Sequence, residues 1–173
     1  MHFSAARNSN HGLTLVETLV VVIMVGVLAA ISAPSFLSWL ESRRVAEAMA
    51  QLEGAIREGQ REAMRSNTNC VINVPSGANP TITATPATCL PTGPRNLNNV
   101  TVRRNSGTNG LHQIRFGFQG RTANTGTAVV ALTANPTLQR CLVIAPGLGI
   151  MRTGIYSASD TAGMTAGNCT GAN

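Results

Sequence analysis

The sequence contains no lysine, and all thirteen of its Lys+Arg cations are arginines. Aromatic side chains are scarce as well, with one Trp, one Tyr and four Phe among 173 residues. The core must therefore be built from Val, Ile, Leu and Ala, which suits a small β-rich head better than a large enzyme core. The same scarcity argues against binding of single-stranded nucleic acid by stacking on aromatic rings.

Acidic side chains are rare beyond residue 66, where Asp160 stands against seven arginines. The Glu residues between 41 and 62 alternate with arginines, which predicts a solvated helical face of mixed charge. A catalytic site needs acid and base groups held close together. Ser106, His112 and Asp160 could be combined into a triad, but no surrounding motif supports it. We therefore predict that the chain is not an enzyme.

None of the four cysteines belongs to a C-x-x-C pair, and all lie beyond residue 66: Cys70, Cys89, Cys141 and Cys169. An even number behind an export segment indicates two disulfides rather than a metal site. Three pairings are possible, and the sequence does not decide among them. We favour Cys70–Cys89 and Cys141–Cys169, because each joins segments that could lie side by side. No metal and no cofactor is predicted.

A run of 23 residues without charge extends from Thr18 to Leu40. As a helix it would cover roughly 35 Å, enough for a bilayer core of about 30 Å. A cleaved signal peptide would have a shorter apolar run. A plain signal anchor explains the run and Arg7 on the inner side, but not Glu17 at its edge, where a carboxylate is costly.

The segment GLTLVETLVVVIMVGVLAAISAPSF (12–36) resembles the N-terminus of type IV pilins and type II secretion pseudopilins. The resemblance implies that a prepilin peptidase cuts after Gly12 and that the new first residue, Leu13, is N-methylated. Most members carry Phe there. Glu17 becomes the fifth residue, where the family carries its glutamate. Its carboxylate would neutralise the ammonium of Leu13 on its own or a neighbouring subunit, because an unpaired charge in an apolar setting is strongly unfavourable.

Gly26 and Pro34 match the helix-loosening Gly and Pro of that family. Proline removes a helix N–H and clashes with the preceding turn, and glycine weakens a helix by its flexibility. The resemblance implies that the chain between them melts in an assembled filament. A simple kink in a membrane helix is the alternative.

Residues 35–66 carry apolar side chains every three to five positions, which predicts a single helical stripe. The stripe is expected to pack on the sheet of the head, and its spacing is not strictly that of a coiled coil. We expect the helix to end near Ser66 and Asn67. The stripe consists of Leu37, Leu40, Val45, Met49, Leu52, Ile56 and Ala63.

The pattern changes to period two beyond the helix, which predicts strands. The Pro-, Gly- and Thr-rich segment 75–94 is predicted to be loop. One long helix followed by several strands predicts an α+β fold with an antiparallel sheet, and the resemblance implies the type IV pilin fold. The predicted strands are 70–74, 100–104, 113–118, 127–133 and 139–145. The predicted divisions are a leader at 1–12, a membrane and assembly helix at 13–34, an amphipathic helix at 35–66 and a disulfide-bonded head at 67–173.

Residues 114–154 are similar to the C-terminal part of the GspH/FimT group of minor pilins and pseudopilins, ending in Gly149-Ile150-Met151-Arg152. The resemblance implies a structural subunit of a type IV pilus or a type II secretion pseudopilus. It implies a single span in the inner membrane and a periplasmic head. The implied partners are other pilins or pseudopilins, a prepilin peptidase, an inner-membrane platform protein and an ATPase.

The basic head leaves a second interpretation open. Some relatives in the FimT branch are implicated in DNA uptake through basic residues near the C-terminal end. This resemblance implies Arg140 and Arg152 as DNA contacts, with Arg103, Arg104 and Arg121 in support. The alternative is a soluble surface whose arginines do not converge. A salt-sensitive gel shift would distinguish the two, whereas a lone membrane-anchored protein with no filament would keep its N-terminus intact.

Overall fold

The computed structural model describes residues 14–105, 111–157 and 164–171. One long helix, α1 (Leu15–Arg65), precedes antiparallel strands. This α+β, type IV pilin-like architecture is the predicted one. The chain divides into two compact units, Met1–Trp39 and Leu40–Asn173, so the second half of α1 belongs to the same unit as the strands.

Two antiparallel sheets follow the helix, where the sequence predicts one. The strand order is β4-β3-β1-β6 in the four-stranded sheet and β10-β9-β8-β7-β5-β2 in the six-stranded sheet. Short 3-10 turns lie at Ala87–Cys89 and Ala166–Asn168. The strands are β1 (Cys70–Asn73), β2 (Gly77–Ala78), β3 (Thr81–Thr85), β4 (Arg95–Asn96), β5 (Val100–Arg104), β6 (Gln113–Phe116), β7 (Gly126–Leu132), β8 (Gln139–Ile144), β9 (Met151–Tyr156) and β10 (Cys169–Gly171).

All five predicted strands are present, but the predicted loop at 75–94 is wrong. It contains β3, which pairs with β1 and buries Ile82 completely. In TITAT three Thr alternate with Ile82 and Ala84, which favours a strand, and the surrounding Pro and Gly conceal that signal. The period-two pattern also predicts that Phe118 points inward with Phe116, yet Phe118 is 53% exposed. The reason is that β6 ends at Phe116.

The apolar stripe of α1 packs against both sheets within the second unit. Its members from Val45 onward share one core cluster with Ile72 of β1, Phe116 of β6 and Leu142 of β8. Leu37 is 60% exposed and Leu40 half-buried, so the buried part of the stripe begins at Val45. The buried members are Val45, Met49, Leu52, Ile56 and Ala63.

Gly59 marks the place where helix and sheet approach most closely. A Cβ built there would lie 2.7 Å from Cγ1 of Ile72, closer than real contacts allow. The spacing of Leu52, Ile56, Gly59 and Ala63 continues the stripe with small residues, which is the sequence signal for this approach.

The helix ends where the sequence predicts. Asn67 adopts a positive φ of 51°, and the N–H of Thr68 donates to the carbonyl of Ala63 over 3.2 Å. This is the long hydrogen bond of a Schellman cap, which satisfies a carbonyl at the end of the helix. Asn67 thus occupies the left-handed position that Gly usually takes.

The two disulfides are the pair favoured from the sequence. Cys70 in β1 bonds to Cys89 in the first 3-10 turn, and Cys141 in β8 bonds to Cys169 in β10. Strands β8 and β10 lie on either side of β9, so the second disulfide crosses that strand. Gly154 lies opposite Cys141 in the register, and a Cβ built on it would lie 2.7 Å from the carbonyl carbon of Thr170, so the glycine permits the close approach of β10.

Glu58 corrects the expectation of a solvated acidic face. Only 8% of the residue is exposed, and its carboxylate forms an ion pair with Arg95. The carboxylate also accepts hydrogen bonds from the N–H and the hydroxyl of Thr92, at 3.0 and 2.8 Å. Burial alone would raise the pKa of Glu58, but the bonds from Thr92 and Arg95 lower it below its ordinary value.

The Glu58 cluster predicts a pH-dependent contribution to stability. Because the folded pKa is lowered, the contribution is present above the unfolded pKa of about 4.3 and is lost as the pH falls through the folded value. Glu58→Gln should lower the free energy of unfolding at pH 7 by about 1–2 kcal/mol. The difference from the parent chain should shrink in acid, measured by denaturant unfolding of the full chain in detergent.

Glu53→Gln is the matched control. Glu53 forms an ion pair with Arg57 at 2.6 Å, but that arginine side chain is 53% exposed. Glu53→Gln should therefore lower the free energy of unfolding by less than about 1 kcal/mol. The role given to Glu58 would be contradicted if both variants lost the same unfolding free energy. It would also be contradicted if the destabilisation of Glu58→Gln persisted at low pH.

Candidate functional site

The first half of α1 is apolar on every side. Its most apolar 18-residue window has a mean hydropathy of 2.5, and none of that window is buried within the structure. Leu15, Val22 and Ile31, for example, are 79%, 69% and 71% exposed. Within the part of the chain that the structure describes, α1 is the one helix long and apolar enough to cross a membrane. A helix that is apolar all round is covered by lipid or by other helices.

Glu17 lies in the first turn of this helix. Its backbone N–H donates to Oγ1 of Thr14 over 3.2 Å, so Thr14 acts as the N-terminal cap. The Glu17 side chain is exposed. A carboxylate in the first turn is favoured by the positive end of the helix dipole. The position thus combines a stabilised negative charge with an otherwise apolar surface.

The predicted cleavage and methylation sites, Gly12 and Leu13, lie outside the described residues, as does the rest of the leader. The described chain begins at Thr14, the residue that caps α1. Cleavage behind Gly12 and methylation of Leu13 therefore stay predictions.

Gly26 and Pro34 both lie inside α1, which is continuous from Leu15 to Arg65. A Cβ built on Gly26 meets nothing within 4 Å, so its backbone is uncovered. Proline cannot donate a hydrogen bond within the helix. The single chain keeps its helix through both positions, and melting in a filament stays a prediction.

Arg140 and Arg152, the predicted DNA contacts, lie on opposite faces of the six-stranded sheet. Directly opposed residues of an antiparallel pair share a face, and the register places Arg140 opposite Ile155 and Arg152 opposite Val143. Leu142, two positions from Arg140, belongs to the core beneath α1, whereas Val143 belongs to the small cluster on the other face. The two guanidinium groups therefore do not form one surface.

Arg152 has a structural role in the described chain. Its Nη1 donates to the carbonyl of Cys169 over 3.0 Å and its Nη2 to that of Ala166 over 2.6 Å. These bonds hold the segment around β10 against β9, next to the Cys141–Cys169 disulfide.

The supporting arginines are also spread apart. Arg103 donates to Oε1 of Gln139 over 2.6 Å, and its neighbour Arg104 points to the other face of β5. Arg104 donates to the carbonyl of Val74 over 2.8 Å, and burial lowers its pKa. Arg121 is exposed on the turn after β6. The register thus places Arg103 on the face of Arg152 and Arg104 on the face of Arg140, so these arginines are divided between the two faces of the sheet, and DNA binding stays a prediction.

The hypothetical triad cannot be assembled from the described residues, because Ser106 and Asp160 lie outside them. His112 is exposed, and its Nδ1 lies 3.0 Å from Nη2 of Arg104. This contact places a cation, not a carboxylate, beside the imidazole.

Two features were missed from the sequence. Gln60 of α1 donates through Nε2 to the carbonyls of Gly120 and Leu148, at 2.8 and 2.9 Å, and so ties two loops to the helix. Phe36 and Trp39 stack with ring centroids 5.8 Å apart. The sequence offers one signal for the aromatic pair, which is its position at the end of the apolar run. The residues around Gln60 carry no pattern that predicts its contacts with the two loops.

The prokaryotic N-terminal methylation motif matches residues 7–33 of the chain. The match covers the predicted cleavage site, Glu17 and Gly26. No curated protein and no solved structure matches the chain. The motif indicates a prepilin-like substrate of a prepilin peptidase, and together with the long apolar helix and the antiparallel sheets it supports a membrane-anchored, type IV pilin-like protein.

Proposed function

We propose that the chain is a minor pilin or pseudopilin of the GspH/FimT type, a structural subunit of a type IV pilus or a type II secretion pseudopilus. The observation that carries the proposal is Glu17, the one carboxylate in the first half of α1, which is otherwise apolar and uncovered. Such a helix needs lipid before assembly and other helices after it. The methylation motif around it supports the same conclusion.

The chemistry of assembly follows from the new N-terminus. Cleavage behind Gly12 gives Leu13 a free amine, which is cationic. Leu13 directly precedes Thr14, the cap of α1, in the sequence, so in an assembled filament its cation would meet both the positive end of the helix dipole and an apolar setting, each of which is unfavourable. The Glu17 carboxylate of a neighbouring subunit removes both penalties, whereas an uncompensated buried charge costs about 3–5 kcal/mol.

The same pair sets the axial register between subunits. Apolar contacts between helices are non-directional and tolerate sliding. A charge pair in a low dielectric medium tolerates far less, because its energy falls steeply with distance. The charge pair of Glu17 thus fixes the axial position of neighbouring helices, whereas contacts between their apolar surfaces hold the helices together.

The head fits an oxidising compartment. Its two disulfides would not persist in a reducing cytoplasm, so a periplasmic head on a single inner-membrane span agrees with them. The proposed partners are other pilins or pseudopilins, the prepilin peptidase, the platform protein and the assembly ATPase.

The N-terminus of the native protein tests the processing step. Mass spectrometry of the chain purified from its own membranes should show a first residue that is N-methylated Leu13. Gly12→Val should keep residues 1–12, because a branched side chain replaces the small residue at the cut. A native chain that begins at Met1 would remove the proposal.

Substitution of Glu17 tests assembly. Glu17→Gln should leave the chain in the membrane but reduce the fraction cross-linked into filaments by more than tenfold, because the cost of about 3–5 kcal/mol for the uncompensated charge exceeds the roughly 1.4 kcal/mol of a tenfold change. The reason is that the neutral amide cannot compensate the ammonium of Leu13.

Glu53→Gln serves as the control, since it removes a carboxylate of the same helix outside the apolar window. It should assemble like the parent chain. Equal incorporation of Glu17→Gln and the parent chain would refute the proposed charge pair while leaving membrane anchoring intact.

A further inference from the structure

The end of the apolar run carries a pair of stacked aromatic rings. Phe36 and Trp39 lie one helical turn apart, with an interplanar angle of 24°. They are 58% and 50% exposed. Trp39 is also the one tryptophan of the sequence. Two of the six aromatic residues of the sequence thus lie on an exposed helical surface.

The position of this pair matches the thickness of a membrane. Trp39 lies 22 residues after Glu17. In a helix this separation amounts to about 33 Å, close to the hydrocarbon core of about 30 Å. When Trp39 lies at one boundary of the core, Glu17 lies at the opposite boundary.

The chemistry of the two rings suits that boundary. Indole combines a large apolar face with a polar N–H, and tryptophan is enriched where headgroups meet hydrocarbon. The residue after Leu40 is Glu41, so the apolar run ends directly behind the pair. A phospholipid interface therefore meets Phe36 on the hydrocarbon side and Trp39 on the headgroup side.

We propose that Phe36 and Trp39 anchor the helix at the headgroup–hydrocarbon boundary of the phospholipid bilayer, on the side of the head. The anchor sets the depth of the span and so holds Glu17 at the far boundary, where its charge is tolerated until a partner ammonium arrives. The inference rests on the membrane anchoring contained in the proposed function. It adds a lipid-binding surface that the methylation motif, which ends at residue 33, does not include.

Depth-dependent quenching of Trp39 fluorescence tests the location. The full chain is reconstituted into phosphatidylcholine–phosphatidylglycerol vesicles, with bromine either near the headgroup or near the end of the acyl chains. Shallow bromines should quench Trp39 about twofold more strongly than deep ones. Stronger quenching by the deep bromines, or no bromine quenching in chains that float with the vesicles, would overturn the anchor. Failure to float would instead overturn membrane anchoring and the proposed function with it.

A second reporter provides the matched control. The double variant Trp39→Leu, Leu28→Trp moves the tryptophan by 11 residues, or about 16 Å toward the middle of the span. Leu28 is 65% exposed, so the new ring can face lipid. Its quenching should be strongest with deep bromines, and identical profiles for the two reporters would overturn the proposal.

Removal of both rings tests anchoring itself rather than location. In the background Trp39→Leu, Leu28→Trp, the further change Phe36→Leu should alter the quenching profile of the reporter, because the span is then free to slide. An unchanged profile would show that the rings lie at the boundary without setting the depth, and would overturn the anchor.

Discussion

An apolar helical surface that the chain does not bury is the constraint on which the remaining features depend. Lipid would cover such a surface in a single subunit, and neighbouring helices would cover it in the proposed filament. When a neighbouring helix replaces lipid, the amount of apolar surface in contact with water hardly changes, because lipid tails are as apolar as Leu and Val side chains. The equilibrium between the lipid-covered subunit and the assembled subunit would therefore depend on the few polar groups, above all on the Glu17 carboxylate and the amine that cleavage would expose.

Packing and hydrogen bonds fix the second half of α1 and several loops within the head. The second half of α1 is packed against both sheets from Val45 to Ala63, with Gly59 allowing the closest approach to Ile72. Glu58 holds the loop around Thr92 and Arg95, and Gln60 holds two loops at the end of the sheets. Polar groups buried at such points are satisfied in the described chain, so each bond restricts the loops without leaving an unpaired group.

The arginines of the head illustrate how a basic composition differs from a basic surface. Neighbouring positions on a strand point to opposite sides of a sheet, so Arg103 and Arg104 diverge, and the register separates Arg140 from Arg152. Several of these groups already bind carbonyls or amides of the chain. Part of the positive charge in the sequence therefore serves hydrogen bonding within the head.

Local pattern alone determined much of this protein: the apolar span, Glu17 at its edge, the end of α1 near Ser66, the strands β1, β5, β6, β7 and β8, and the α+β class. These features depend on periodicity, charge and capping within a few neighbouring residues. Tertiary structure decided the partner of Glu58, the tie made by Gln60, the two-sheet arrangement, the strand within 75–94 and the faces of Arg140 and Arg152. Such features depend on contacts between residues far apart in the chain and on strand register, and a shift of one residue in register would exchange the two faces.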